Sequence, residues 1–149
     1  MTIQEKFDLS GHVAIVTGGV GLLGAEFCKT LAEAGAAVAV VDLNASASQA
    51  VADTLTKSGY QAQAFAVDIT KPDAVNGMVE NVLSAFGRID ILVNSAALDP
   101  KFDPDAVKKG ITPGAFEDYP LEQWNAALNV NLTGMFLITQ ACVKPMLAQ

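Results

Sequence analysis

Cysteine and histidine are nearly missing from this 149-residue chain, which has two cysteines, Cys28 and Cys142, and a single histidine, His12. Neither cysteine belongs to a CxxC pair, and His12 has no partner at ligand spacing, so no metal site is expected and the cysteines read as buried or semi-buried free thiols suited to a reducing compartment. Basic residues are scarce too. Nine Lys and Arg stand against sixteen Asp and Glu, a net charge of -7 that repels a phosphate backbone and argues against nucleic acid as a partner. Long hydrophobic runs are lacking: the most continuous, Ala34 to Val41, is far short of the roughly 18 residues that cross hydrocarbon. No membrane span is expected. Met1 to Asp8 carries Glu5 and Asp8 with no apolar core after it, unlike a secretory signal, so a cytoplasmic location is expected. What remains is 51% hydrophobic and 17% charged, a composition that folds around one core.

Periodicity alternates along the chain. Val13 to Val16 is a short β-branched run stopped by Thr17-Gly18-Gly19, which predicts a first strand. Leu22 to Ala34 repeats Leu23, Phe27 and Leu31 at helical spacing and ends at Gly35. Ala36 to Val41 predicts a second strand closed by Asp42, Ala45 to Lys57 a helix, and Ala62 to Val67 a third strand. Thr70-Lys71-Pro72-Asp73 opens a further helix to about Phe86 with Thr70 as cap, and Ile89 to Val93 makes a fourth strand. Such β-α alternation predicts a doubly wound α/β fold with a parallel sheet. Residues 98–120, rich in proline and acid, read as a long loop. Leu121 to about Met146 returns to helical spacing through Leu121, Trp124, Leu128, Leu132, Met135 and Thr139, with Trp124 as a candidate core anchor.

The first strand runs through Thr17-Gly18-Gly19-Val20-Gly21-Leu22-Leu23-Gly24 straight into a helix. Gly19, Gly21 and Gly24 match G-x-G-x-x-G, whose glycines serve a tight turn, close approach of backbone to a pyrophosphate, and helix-against-strand packing. A helix N-terminus supplies unpaired amides and partial positive charge, so the turn between Gly18 and Leu23 is expected to receive a diphosphate. Asp42, 18 residues beyond Gly24, stands where a carboxylate accepts ribose hydroxyls. It repels a 2′-phosphate, and no Arg or Lys sits in the turn, so NAD is expected rather than NADP. Asp42 also suits the role of cap or turn former for the helix starting near Ala45.

Together with Gly87-Arg88-Ile89-Asp90-Ile91-Leu92-Val93-Asn94-Ser95-Ala96-Ala97 and Asn129-Val130-Asn131-Leu132-Thr133-Gly134, these segments make the chain resemble the short-chain dehydrogenase/reductase family. The resemblance implies a Rossmann-type fold with strands in the order 3-2-1-4. It also implies hydride transfer between a nicotinamide cofactor and an alcohol or carbonyl substrate. By that resemblance Gly18, Val20, Gly21, Leu22 and Leu23 form the cofactor turn, Asp42 meets ribose, Asp68 and Ile69 meet adenine, and Asn94 and Ala96 border the cofactor. Asn131 matches the residue that perturbs its helix and holds a water in the proton relay. Independently of the family, Asn129, Asn131, Thr133 and Gly134 are weak helix formers clustered in an apolar helix, which costs about 2 kcal/mol in propensity and marks a working site or a helix break.

Two features depart from the family pattern. The common turn TGxxxGxG appears here with its middle glycine at Gly21, a spacing similar to the extended branch that includes sugar-nucleotide epimerases. The motif NNAG appears as Asn94-Ser95-Ala96-Ala97. The family's catalytic Tyr-x-x-x-Lys is not found, because Tyr60 and Tyr119 are followed four residues on by Ala64 and Gln123. The expectation is therefore one incomplete dinucleotide-binding domain over residues 1–149, carrying the cofactor-binding half of an enzyme and lacking its catalytic segment. A non-catalytic nucleotide-binding or interaction module and a sugar-nucleotide epimerase-like extended relative remain as alternatives. By the resemblance, the acidic stretch from Asp99 to Asp118 within the 98–120 loop suits a lid over the substrate, though solvation alone accounts for its charge equally well. The resemblance also makes Trp124 a candidate dimer-face anchor and implies a homo-oligomer for the longer enzyme.

Overall fold

A computed structural model describes residues 2–99 and 116–149. A one-turn helix α1 (Ile3–Lys6) precedes β1 (Val13–Thr17), α2 (Leu22–Glu33), β2 (Ala37–Asp42), α3 (Ala45–Lys57), β3 (Ala62–Ala66), α4 (Pro72–Phe86) and β4 (Ile91–Asn94). After a 3-10 turn at Phe116–Asp118 follow α5 (Leu121–Leu128), a π-helical turn (Asn129–Gly134) and α6 (Met135–Ala148). Residues 100–115, most of the expected long loop, lie outside the described residues.

The strands form one parallel sheet in the order β3-β2-β1-β4, the doubly wound arrangement that the alternation predicts. All of β1 and the first five residues of β2 are buried, which is why both read as unbroken apolar runs. Side chains alternate between two cores. Ile15, Ala39 and Val41 meet Val75, Val79 and Val82 of α4 and Ile138, Ala141 and Cys142 of α6 on one face. Val16, Val38 and Val40 meet Cys28 and Ala32 of α2 and Ala52 and Leu55 of α3 on the other. In register, Thr17 lies beside Val41 and Asn94, so the loops that leave β1, β2 and β4 converge at one rim of the sheet. Among the described residues nothing pairs with the outer edge of β4, whose Ile91, Leu92 and Val93 are half-buried.

Several expectations need correcting. The fully buried face of α2 is Gly24, Cys28 and Ala32; of the residues at helical spacing Leu31 packs partly against this core, while Leu23 is 65% and Phe27 41% exposed. Small residues win that face because they let the helix approach the sheet closely. Thr70 does not cap α4, since its hydroxyl donates to Asp68 and the N-cap position falls to Lys71, before Pro72. The missing N–H of proline is no loss in a first helical turn. Ile89 is not paired in β4; its amide and carbonyl bond the Gln149 side chain at 2.9 and 2.8 Å. Trp124 is 52% exposed and so is not a core residue.

The helical stretch Leu121–Ala148 is 28 residues long and contains an 18-residue window with a mean hydropathy of 1.4. By length and composition it could cross a membrane, contrary to the expectation from apolar runs alone. Its last half is an internal packing element, because Ile138, Ala141 and Cys142 are buried against the sheet and α4.

Candidate functional site

The rim where β1, β2 and β4 end carries a cleft of about 320 Å³ lined by Gly18, Val20, Gly21, Asp42, Asp68, Ile69 and Ala96 among others. Seven of the ten expected cofactor residues meet there. The other three do not line it with their side chains. Leu22 and Leu23 point outward, 93% and 65% exposed, and Asn94 turns to the other side of the strand, where its Nδ2 donates to Thr139 Oγ1 at 3.1 Å. Strand alternation explains the last: Asn94 and Ser95 face opposite ways, and Ser95 lines the cleft.

Close approach of backbone is what builds the turn. Gly18 has φ +66° and its missing Cβ would fall 2.7 Å from Ala96 Cα. A side chain on Gly24 would collide with the Gly18 carbonyl. Glycine inside a helix costs about 1 kcal/mol against alanine, whereas forcing a methyl into closed backbone costs about 1–3 kcal/mol, so the contact decides for glycine.

The amides available at the turn differ from those expected. Gly19 N–H donates to the Val41 carbonyl at 3.0 Å, Val20 N–H to Asp42 Oδ2 at 3.4 Å and Gly21 N–H to the Gly18 carbonyl at 3.0 Å. Those amides hold the turn itself together. The first bond along α2 runs from Ala25 N–H to the Gly21 carbonyl at 2.9 Å, and no side chain caps the helix. The amides of Leu22, Leu23 and Gly24 therefore have no helical acceptor, and the positive end of the α2 dipole opens on the rim. Leu22 and Leu23 thus face the rim through their backbone amides and not through their side chains.

Asp42 sits at the end of β2 with Oδ1 accepting the Asn44 amide at 3.0 Å. It shapes the turn but does not cap α3; Asn44 does, accepting from Ala47 N–H at 3.1 Å. Asp68 accepts the Thr70 hydroxyl and amide on Oδ1 at 2.6 and 2.9 Å, and these bonds hold its carboxyl below the usual aspartate value. The cleft lining holds two carboxylates and no Lys or Arg.

Thr17 is a site-building residue that sequence inspection treats only as a strand stop. It is buried, donates through Oγ1 to the Val93 carbonyl at 3.4 Å and accepts the amides of Ser95 and Ala96 at 3.2 and 3.3 Å. One hydroxyl thereby fixes the path of the chain leaving β4. A polar β-branched residue ending an apolar strand is the signal that could have found it.

Asn131 lies in the π-helical turn, so the weak helix formers neither break the helix nor fit a regular one. Such turns insert one extra residue per turn and are frequent at functional sites. Its Oδ1 accepts the Leu98 amide at 2.7 Å and its Nδ2 donates to the Leu98 carbonyl at 3.0 Å. Asn131 also lines a second cavity of about 760 Å³ with Leu98, Asp99, Phe116, Tyr119 and Trp124. The two cavities meet across Leu98, which lines both.

His12, half-buried at the opposite end of β1, has an Nδ1 with no hydrogen-bond partner. Among the described residues no cluster of three or more His, Cys, Asp or Glu could hold a metal ion.

A dinucleotide fits this arrangement. The glycines let the turn close on the chain after β4 and on the start of α2, and α2 turns open amides toward the cleft. Comparison with known proteins agrees with the geometry. The family model described as short chain dehydrogenase matches residues 12–149. D-threitol dehydrogenase of Mycolicibacterium smegmatis is 36% identical over 147 residues, which are 99% of this chain and 52% of that protein. A crystal structure of a short-chain type dehydrogenase/reductase from Mycobacterium marinum superposes with a TM-score of 0.87 at 35% identity, covering all of this chain and 56% of that one. NAD+-bound xylitol dehydrogenase gives a TM-score of 0.83 at 32% identity over 95% of this chain and 50% of its own. The chain spans about half the length of the curated relatives it matches.

Proposed function

This chain belongs to the short-chain dehydrogenase/reductase family, and from that premise we propose that it is the NAD-binding part of an oxidoreductase acting on an alcohol or carbonyl substrate. The observation that carries this is the cleft where the Cβ-free turn, the open end of α2 and the Asp42 carboxylate meet. The amides of Leu22 and Leu23 would hold the diphosphate, Asp42 the adenosine ribose, and Asp68 and Ile69 the adenine side. When bound, NAD supplies a nicotinamide that takes up or gives back hydride.

The chain's own residues bind and orient. Asp42 accepts hydroxyl hydrogen bonds and repels a 2′-phosphate, and the lining offers no cation to neutralise one, which supports NAD over NADP. Ser95 and Ala96, pinned by Thr17, hold the far wall. Asn131 secures Leu98 between the two cavities, and the larger, apolar-lined one is the substrate side. The 149 residues contain no Tyr-x-x-x-Lys, and the proton-transfer groups are assigned to sequence outside them. Chain length against the relatives supports that assignment. The exposed stripe Leu121, Trp124, Leu128 and Leu132 suits a contact between subunits of the longer enzyme.

Isothermal titration of the folded chain with NAD and with NADP tests the assignment. NAD is expected to bind, weakly, and NADP more weakly still. Absence of heat with either would defeat it. Alcohol turnover by these 149 residues alone would defeat the division of labour but not the cofactor site.

A further inference from the structure

We propose that Gly134 is a positioning residue: by seating the π-helical turn directly on Ile69, it makes the wall of the nucleotide cleft and the Asn131–Leu98 clamp one mechanical unit. The proposal deepens, and rests on, the assignment of the cleft to a dinucleotide.

Nothing in its own backbone requires a glycine at this position. Its φ of -61° and ψ of -44° are ordinary right-handed helix, which any residue adopts. Alanine is the better helix former. The requirement comes from across the gap, where a Cβ on Gly134 would lie 2.8 Å from both Cγ1 and Cδ1 of Ile69. Ile69 is only 8% exposed and lines the cleft, so a side chain displaced by a Cβ on Gly134 is pushed toward the cleft wall.

The same turn reaches the cleft twice more. Val130 lines it directly, and Asn131 grips both backbone groups of Leu98, which also lines it. Six residues therefore touch three walls, at Ile69, Val130 and Leu98. Close-packed contacts shift as a body and do not absorb a displacement locally. Moving the turn off Ile69 must move Asn131 relative to Leu98, and a ligand pressing on Ile69 or Leu98 must bias Asn131 in return.

Hydrogen exchange at the Leu98 amide, followed by NMR on the full 149-residue chain, reads the clamp with no ligand present. In Gly134→Ala this amide is expected to exchange about tenfold faster, the scale of population change that one overpacked contact brings. The amides of Ile15 and Ala39 in the central strands should keep their native rates. Adding Ile69→Ala removes both colliding atoms and is expected to return Leu98 to within about twofold of native, because neighbouring sites couple.

An unchanged Leu98 rate in folded Gly134→Ala overturns the proposal. So does a rise shared by the central strands, or one that Ile69→Ala does not reverse. If Gly134→Ala alone does not fold, the double variant decides. Folded with slow Leu98 exchange, it supports the proposal; fast exchange or failure to fold overturns it. Titration with NAD separates the two claims. A native chain that ignores NAD counts against the dinucleotide site and leaves the exchange result standing, whereas NAD bound equally by native and Gly134→Ala chains overturns the coupling alone.

Discussion

The Asp42 carboxylate ties the end of β2 to the glycine turn by accepting the Val20 amide, Oδ2 to N at 3.4 Å, while its other oxygen takes the Asn44 amide at 3.0 Å. The longer of these is a weak bond that a ribose hydroxyl can replace or share. Hydrogen bonds to a charged group contribute about 1.5–3 kcal/mol, a factor of roughly 10–100 in affinity. Asp42→Ala is expected to weaken NAD binding by at least the lower figure and to narrow the gap to NADP, since repulsion of the 2′-phosphate goes with it. Competitive titration of the two dinucleotides measures both effects; an unaltered ratio would remove Asp42 from the selection.

Thr17→Val keeps the shape of the side chain and deletes its hydroxyl. The amides of Ser95 and Ala96 then lose their acceptor in a partly buried place, at a cost of about 1–3 kcal/mol. For a chain of this length that lowers Tm by roughly 3–10 °C. Thr17→Ser, which keeps the oxygen, should retain most of the stability. Thermal melts followed by circular dichroism compare the three, and equal melting of native and valine chains would contradict the pinning role.

Asp90 joins the start of β4 to the start of β1. It receives Nε and Nη2 of Arg88 and the Val13 amide at 2.6 to 3.0 Å, and the Arg88 guanidinium first, then the Val13 amide, hold its carboxyl below the ordinary value of 3.8. A carboxyl whose folded value is depressed contributes stability above the unfolded value and loses it as pH falls through the folded one. Asp90→Asn should therefore be less stable than the native chain at neutral pH, with the gap closing as pH drops below 3.8. Asp68, held low by Thr70, acts in the same direction. Urea midpoints measured from pH 7 downward test this; a gap that stays constant with pH excludes the carboxylate as its source.

Cys28 and Cys142 are both fully buried, and burial pushes each thiol up to about 12. The thiolate is the reactive form, so neither should react with Ellman's reagent at pH 8 while the chain is folded. Both should titrate promptly in denaturant. Fast reaction of Cys28 in the folded state would show that α2 opens from the sheet, because its sulfur lies beneath Gly19.

Much of the fold was legible because its signals are local. Apolar runs, the spacing of helices and the punctuation by Gly35, Gly87 and Pro72 all act within a few residues, and α3 and α4 begin and end where those signals say. The glycine turn between β1 and α2 was legible for the same reason, as was the departure of residues 129–134 from regular helix. Where local signals pointed to two partners, they misled. Thr70 has the chemistry of a cap but bonds Asp68, and Leu23 and Phe27 have the spacing of a core face but yield it to smaller neighbours.

By its own pattern the sequence determined a parallel sheet, a glycine-rich turn leading into a helix, and an acid at the end of the second strand. Only the tertiary structure decided which turn amides remain open, that Asn94 faces α6 while Ser95 faces the cleft, and that Asn131 grips Leu98. It also decided why Gly24 and Gly134 must lack a side chain. The physical reason is distance along the chain. A residue's preference for helix or strand is set by its neighbours in sequence, but how closely two backbones may approach, and which donor finds which acceptor, is set by segments that meet only once the sheet has formed.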